Sequence, residues 1–108
     1  HHRSSAASDV YKRQINIIIQ SNSDYIADVE SIYNLLITKY DNVSLDDRDL
    51  SIGRKIKDSE LIGIPWTLII GNNFKEKGQI ELISRSNSDK IFLSKQEIEN
   101  FEFEQYTP

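Results

Sequence analysis

The 108-residue sequence contains no cysteine and no methionine, and its two histidines are His1 and His2. The missing cysteines exclude disulfides, cysteine-ligated zinc and thiol nucleophiles. Beyond the first two residues there is no imidazole, which excludes histidine as a general base or a metal ligand there. No apolar run approaches the roughly 20 residues of a membrane-spanning helix. These absences predict a cytoplasmic protein without a metal site and without a membrane contact.

The chain has little positive charge to spare. It carries 17 Asp and Glu against 13 Lys and Arg, for a net charge of −4. Nonspecific nucleic-acid binders are usually basic, so any contact with a polyanion must rest on a local patch that overcomes the overall repulsion. The length fits one domain with a modest core.

Residues 1–14 (H-H-R-S-S-A-A-S-D-V-Y-K-R-Q) show no apolar periodicity. They resemble translated vector or adapter sequence, and we predict a non-native or disordered tail outside the fold. The domain is placed at residues 15–105, with 106–108 as a short C-terminal end. We also expect the natural segment to begin inside a longer protein.

Hydrophobic periodicity predicts five strands and three helices in the order β-α-β-α-β-β-β-α. The order favours a small α/β domain of flavodoxin-like build, whose mostly parallel sheet has an antiparallel edge. The predicted strands are Ile15–Ile19, Val43–Leu45, Trp66–Ile70, Gln79–Arg85 and Lys90–Leu93. The predicted helices are Asp24–Tyr40, Gly53–Ile62 and a third that begins at Lys95.

Capping and turn residues mark the ends of these elements. We expect Ser21 to cap the first helix, and Ser94 with Glu97 to form a capping box for the third. Gly63 is placed as the C-terminal cap of the second helix. Polar turns are predicted at Gly71–Gly78 and Ser86–Asp89.

One stretch, from Asp46 to Pro65, concentrates charge. It reads D-D-R-D-L-S-I-G-R-K-I-K-D-S-E-L-I-G-I-P, with four acidic and four basic residues between Asp46 and Asp58. The charges fall on a loop and on the start of the second predicted helix. A charged strand-to-helix junction is a candidate site for a polar ligand.

The same stretch resembles the bacterial prolyl-tRNA synthetase pattern D-D-R-x-E-R-x-G-x-K-F-x-D-x-E-L-I-G-I-P. The run W-T-L-I-I-G after it, together with Gly78, Glu81 and Arg85, resembles the continuation of that family's sequence. The likeness covers about residues 15–105, and E-L-I-G-I-P is its most specific part. The residues that match the pattern are Asp46, Asp47, Arg48, Gly53, Lys55, Asp58, Glu60, Leu61, Ile62, Gly63, Ile64 and Pro65.

The resemblance implies the C-terminal anticodon-binding domain of a class IIa synthetase. That fold is a single three-layer α/β domain, in which a mixed, mostly parallel five-stranded sheet is flanked by three helices. The implied partner is proline tRNA, held at its anticodon loop. The implied parent is a homodimeric proline–tRNA ligase whose ATP and Mg²⁺ are bound in a catalytic core outside this chain. The domain itself is expected to hold no cofactor and no catalytic residue.

Two guanines, at the second and third anticodon positions, are common to proline tRNAs. Guanine offers N–H groups that suit a carboxylate and acceptors that suit Arg or Lys. We therefore predict Asp47 as an acceptor, Arg48 and Lys55 as donors to bases or phosphates, and Arg54 in support. Asp46 completes the predicted nucleic-acid-binding set, and the start of the second helix offers backbone donors to a phosphate.

The family's second arginine is replaced by Ser51, and Arg54 is the nearest candidate to replace its charge. Simpler interpretations stay open for the charged residues. Asp46 or Asp47 could cap a helix or pair with Arg48, and the cluster could be a solvated face.

Other functions also compete with anticodon binding. They are a stand-alone accessory module that binds RNA or protein, and the anticodon-binding domain of a related class IIa synthetase. An enzyme on this fold is disfavoured, because the sequence shows no Gly-rich phosphate loop and no nucleophile–base pair. For Trp66, packing is favoured over stacking on a base. Phe101, Phe103 and Tyr106 are expected to pack on the third helix or on a neighbouring domain.

Overall fold

A computed structural model describes residues 14–20, 24–40, 42–85, 90–101 and 103. Within these residues the order is β1-α1-β2-α2-β3-α3-β4-β5-α4. The strands are β1 (Ile15–Ile19), β2 (Val43–Asp46), β3 (Trp66–Ile70), β4 (Gln79–Ser84) and β5 (Lys90–Ser94). The helices are α1 (Ile26–Lys39), α2 (Ile52–Ile62), α3 (Asn72–Lys77) and α4 (Lys95–Asn100). Each predicted strand agrees with the observed one to within one residue at either end.

The five strands form one sheet in the order β2-β1-β3-β4-β5. Strand β1 pairs in parallel with β2 and β3, whereas β4 pairs antiparallel with both β3 and β5. Four strands therefore run in one direction and β4 alone opposes them. This confirms the predicted mixed, mostly parallel sheet, with the opposing strand one position in from the edge.

The two faces of the sheet pack against different helices. Every residue of β1 and β3 is buried, as their continuous apolar runs predict. Because side chains alternate along a strand, Ile17 and Leu68 lie on one face, in the main core with Val29 of α1 and Ile98 of α4. The opposite face carries Thr67, and α2 packs there. The domain thus has the three predicted layers.

An aromatic cluster closes the end of the sheet where β3 begins. Trp66 is buried and meets Phe101 and Phe103 edge to face, and Phe103 also packs on Tyr40. The main-chain N–H of Phe103 donates to the Tyr40 hydroxyl at 3.2 Å. The predicted packing roles of Trp66 and of the two phenylalanines are confirmed, whereas Tyr106 lies outside the described residues.

Helix α3 occupies the segment Gly71–Gly78, where a turn was predicted. The described residues therefore form four helices, whereas three were predicted. Gly71 O accepts hydrogen bonds from the N–H groups of Phe74 and Lys75, and Gly78 N–H closes the helix on Phe74 O at 2.9 Å. Gly78 adopts a left-handed conformation with φ 68°, as helix C-terminal caps commonly do. Six residues are too few for apolar periodicity to reveal a helix.

The other helix ends agree more closely. Gly63 caps α2 with φ 90°, and the Ser94–Glu97 capping box is complete. Helix α1 begins two residues later than predicted, with Tyr25 at its N-cap and no side-chain cap. The predicted cap Ser21 and the predicted turn Ser86–Asp89 lie outside the described residues.

The left-handed backbone at Gly78 gives a stability prediction. Gly78→Ala should lower the free energy of unfolding by about 1 kcal/mol, because an L-residue is strained at this φ. Gly53→Ala is the matched control, since Gly53 lies within α2 and a Cβ there would meet nothing within 4 Å. That change should leave stability unchanged or raise it by up to about 1 kcal/mol. Denaturant unfolding measures both, and equal effects would contradict the assignment.

Candidate nucleic-acid interface

Three adjacent strands, β2, β1 and β3, pair in parallel, and their carboxyl-terminal ends lie on the same side of the sheet. We call this side the carboxyl edge. Its last strand residues are Ile19, Asp46 and Ile70, brought together by the pairing register. Side chains supply donors to all three main-chain carbonyls. Lys55 Nζ donates to Ile19 O at 2.7 Å and to Asp46 O at 3.3 Å. Tyr25 Oη donates to Ile70 O at 3.0 Å. Ligands of open α/β sheets bind outside this kind of edge.

Burial, and secondarily the charge of Asp24, raises the pKa of the Tyr25 hydroxyl. The phenol therefore stays protonated at neutral pH and keeps its hydrogen bond to the strand end.

A network of two carboxylates and two guanidinium groups lies beside the carboxyl edge, and we call it the Arg48 network. Arg48 Nε and Nη2 each donate to an oxygen of Asp46 at 2.7 Å, the bidentate geometry that favours Arg–carboxylate pairs. Arg48 Nη2 also donates to Asp58 at 3.1 Å. Arg54 Nε lies 3.5 Å from the other oxygen of Asp58. The four side chains fix one another, and their formal charges cancel.

The pairing of Asp46 with Arg48 favours the ionised form of both side chains. The hydrogen bond from Arg48 holds the pKa of the Asp46 carboxyl below its usual value; burial opposes this shift, and the charge of Lys55 adds to it. The hydrogen bonds to Asp46 and then to Asp58 raise the pKa of Arg48. The side chain of Asp46 is only 10% exposed, but that of Arg48 is 50% exposed. Arg48 is therefore held in place by two carboxylates and is still half exposed to solvent.

Asp47 and Arg48 offer opposite hydrogen-bonding capacity side by side. Asp47 is exposed, and its carboxylate has no partner among the described residues. Arg48 uses Nε and Nη2 within the network, whereas Nη1 donates to no described residue. An acceptor and a donor are thus both available on the loop that follows β2.

Lys55 does not lie on this surface. It is fully buried, and it is one of the largest side chains in the interior of the described residues. The inward face of α2 is formed by Lys55 and Ser59, with Ile52 and Ile56 flanking them, and Ser59 shares a hydrogen bond of 2.9 Å with Thr67. Direct donation from Lys55 to RNA stays a prediction that this position does not favour. The sequence did contain a signal for the burial of Lys55, since helical spacing places it on the same face of α2 as Ile52 and Ile56. The surrounding charged residues obscured that signal.

Ser51 has a structural role that was not predicted from its place in the family's sequence pattern. It is the N-cap of α2, and its hydroxyl accepts from the Arg54 N–H at 3.2 Å. The residue that lacks the family's positive charge therefore begins the helix that carries Arg54. Asp46 pairs with Arg48, as the simpler interpretation held, and neither Asp46 nor Asp47 caps α2.

Known proteins resemble this chain in sequence and in fold. Residues 14–103 match the sequence family described as "Anticodon binding domain", a span that covers most of the chain. The chain belongs to the anticodon-binding domain family.

Similar curated proteins are proline–tRNA ligases. The domain is 44% identical over 71 residues to that of Leptospira biflexa serovar Patoc, a match of 66% of this chain and 12% of the relative. It is 39% identical over 80 residues to that of Pseudothermotoga lettingae, with 74% and 14% covered. It is 40% identical over 86 residues to that of Synechococcus sp. strain CC9311, with 78% and 14% covered. The chain thus spans 12–14% of the length of these three proteins.

Solved structures share the fold. Prolyl-tRNA synthetase from Cryptosporidium parvum, complexed with L-proline and AMP, superposes with a TM-score of 0.69 at 22% identity, over 80% of this chain and 19% of that one. The RNA binding domain of threonyl-tRNA synthetase from Cryptosporidium parvum Iowa II gives 0.67 at 22% identity, over 82% and 22%. The predicted class II synthetase anticodon-binding fold is therefore confirmed.

Two features are absent from the described residues. No helix among them is both long and apolar enough to cross a membrane. No group of three or more His, Cys, Asp or Glu side chains in that part of the chain is placed to hold a metal ion.

The lowered pKa of Asp46 predicts a pH dependence of stability. A carboxyl group whose pKa falls on folding stabilises the protein at pH values above its pKa in the unfolded chain, which is 3.8 here. This contribution is lost as the pH falls through the lower pKa of the folded state. Asp46→Asn should therefore lower the free energy of unfolding by about 1 kcal/mol at pH 7 and by almost nothing at about pH 2.

Denaturant unfolding at several pH values measures this difference. The control is Asp47→Asn, whose carboxylate has no described partner and whose profile should run parallel to that of the unchanged domain. An Asp46→Asn profile that also runs parallel would show that the pairing contributes no stability.

Proposed function

We propose that this domain holds the anticodon loop of proline tRNA as part of a prolyl-tRNA synthetase. Membership of the anticodon-binding domain family supports tRNA binding, and the similarity to bacterial proline–tRNA ligases supports the choice of tRNA. The stand-alone module and the related synthetases have no comparable support. The observation that carries the proposal is the exposed pair Asp47 and Arg48 at the carboxyl edge, one an acceptor and the other a donor.

This pair has the chemistry to read guanine. In an anticodon loop the bases are unstacked, so their edges are open to side chains. The Asp47 carboxylate accepts from the guanine N1–H and N2 amino group, while Arg48 donates to O6 or N7. Arg48 brings its donors already oriented by Asp46 and Asp58, and Nη1 is available without breaking either bond. A base is thus met by a fixed guanidinium group.

The start of α2 provides for the phosphate beside that base. Arg54 is exposed there, and the 11-residue helix points its N-terminal N–H groups toward the carboxyl edge. Both features favour an anion. Since the Arg48 network is formally neutral, this contribution is local and does not depend on a large basic surface.

The remaining parts of the proposal concern the parent protein. It is a cytoplasmic, homodimeric ligase that activates proline with ATP and Mg²⁺ and transfers it to tRNA. Those reactions belong to the segments that the relatives have in addition to this domain. The domain's own contribution is selection of the tRNA.

A binding titration tests the reading of guanine. The unchanged domain should bind a proline anticodon stem-loop at least about tenfold more tightly than a stem-loop whose two guanines are replaced, because each bidentate contact discriminates by about 1–3 kcal/mol. Arg48→Gln should lose most of that preference. Lys90→Gln is the matched control: Lys90 is 51% exposed and also pairs with a carboxylate, at 3.5 Å from Glu81, but lies toward the opposite edge.

Two results would contradict the proposal. Equal affinity for the two stem-loops would exclude readout of guanine. Equal losses in Arg48→Gln and Lys90→Gln would make the Arg48 network a solvated surface.

The variant Ser51→Arg restores the positive charge of the family pattern and removes the side-chain cap of α2. Loss of the hydroxyl should lower the free energy of unfolding by about 1 kcal/mol. The added guanidinium should tighten stem-loop binding and steepen its salt dependence by nearly one counterion. Unfolding and titrations at several salt concentrations measure the two effects, and Ser51→Ala, which lacks the charge, should show the first without the second. Unchanged stability in both variants would contradict the capping role.

A further inference from the structure

We propose that Lys55 is a positioning residue of the anticodon site: its buried ammonium group joins the ends of β1 and β2 and thereby sets the place of Arg48. The effect on RNA binding rests on the proposed function, whereas the effect on Arg48 does not.

Asp46 is the link between the two side chains. Its main-chain carbonyl accepts from Lys55 Nζ at 3.3 Å, and its carboxylate receives both donors of Arg48 at 2.7 Å. The other acceptor of Lys55 is Ile19 O at 2.7 Å, at the end of the neighbouring strand β1. Hydrogen bonds on the main chain and on the side chain of Asp46 therefore connect the end of β1, through Lys55, to the exposed guanidinium group.

The end of β2 has two ties besides Lys55. β2 is an edge strand, and among the described strands it pairs with β1 alone. The exposed residues 47–50 follow it, and there Arg48 bridges Asp46 to Asp58 of α2. Lys55 also projects from α2 to this strand end. Without its ammonium group, the described hydrogen bonds between α2 and the end of β2 would pass through Arg48 alone.

Packing alone does not account for a lysine here. A buried ammonium group is costly to desolvate, and an apolar residue of similar volume commonly serves stability as well or better. No ion pair of Lys55 occurs among the described residues to offset that cost; its described partners are carbonyl oxygens. Hydrogen bonds are directional and apolar contacts are not. The lysine therefore supplies orientation at Asp46, the residue that receives two donors of Arg48.

The test uses the full chain with Lys55→Met, which keeps length and removes the donors, and with Lys55→Gln, which keeps two donors. Lys57→Met is the matched control, since Lys57 is an exposed lysine on the same helix. Hydrogen exchange of the Arg48 Nε–H, followed by NMR without RNA, reports on Arg48 directly. Affinity for the proline stem-loop is measured for each variant alone and in an Arg48→Gln background.

In Lys55→Met, exchange of the Arg48 Nε–H should be faster and stem-loop affinity should fall, each by about tenfold, while the domain stays folded. In the Arg48→Gln background the same change should cost less than about twofold, because residues that act through one another are not additive. Lys57→Met should change neither quantity by more than about twofold.

Three results would overturn the proposal. Unchanged Arg48 exchange would show that Lys55 does not position it. Additive losses in the double variant would show that Lys55 contacts RNA itself. Unfolding of both Lys55 variants would assign Lys55 to the stability of the whole domain. If the unchanged domain does not bind the stem-loop, the proposed function fails, and Arg48 exchange alone decides whether Lys55 positions it.

Discussion

Two main-chain carbonyls at the ends of neighbouring parallel strands share one buried ammonium group, and the carboxyl edge depends on this interaction. Strand-end carbonyls need donors once they are taken from water, and a buried lysine needs acceptors. Ile19, Asp46 and Lys55 meet both needs together. The arrangement fixes where α2 crosses the sheet and where β2 ends. The positions of α2 and β2 in turn set the position of the Arg48 network.

The two faces of the sheet are packed in different ways. The face toward α1 and α4 buries a continuous set of aliphatic and aromatic side chains, each worth about 1.5–3 kcal/mol when fully buried. The face toward α2 is mixed: it buries Ile18 and Ile69 and adds hydrogen bonds of Lys55 and Ser59, whose net contribution is about 1 kcal/mol each. Apolar burial on both faces therefore stabilises the fold. The hydrogen bonds toward α2 also orient the charged loop.

The fold was largely predictable because its signals are local and strong. The apolar runs of β1 and β3, the capping box at Ser94 and the glycine at Gly63 each specify an element from a few residues. Helix α3 was not predictable, since six residues bounded by glycines look like a turn. The cluster of charges from Asp46 to Asp58 was visible in the sequence, but the geometry of the cluster was not predictable. Pairing of Asp46 with Arg48, two residues apart, depends on the bend of the loop, and the burial of Lys55 depends on where α2 meets the sheet.

Under the proposed function, a charge-balanced site in an acidic chain constrains how RNA can be selected. The net charge is −4, and the Arg48 network is formally neutral, so long-range attraction to phosphates gives little selectivity or affinity. The gain must come at short range, from donors and acceptors that match a base. An arginine already fixed by Asp46 and Asp58 loses little side-chain entropy when it binds, which raises the value of each such contact. The carboxylates of Asp46 and Asp58 thus cancel positive charge in the network, but they also hold the guanidinium group of Arg48 in a preorganised position.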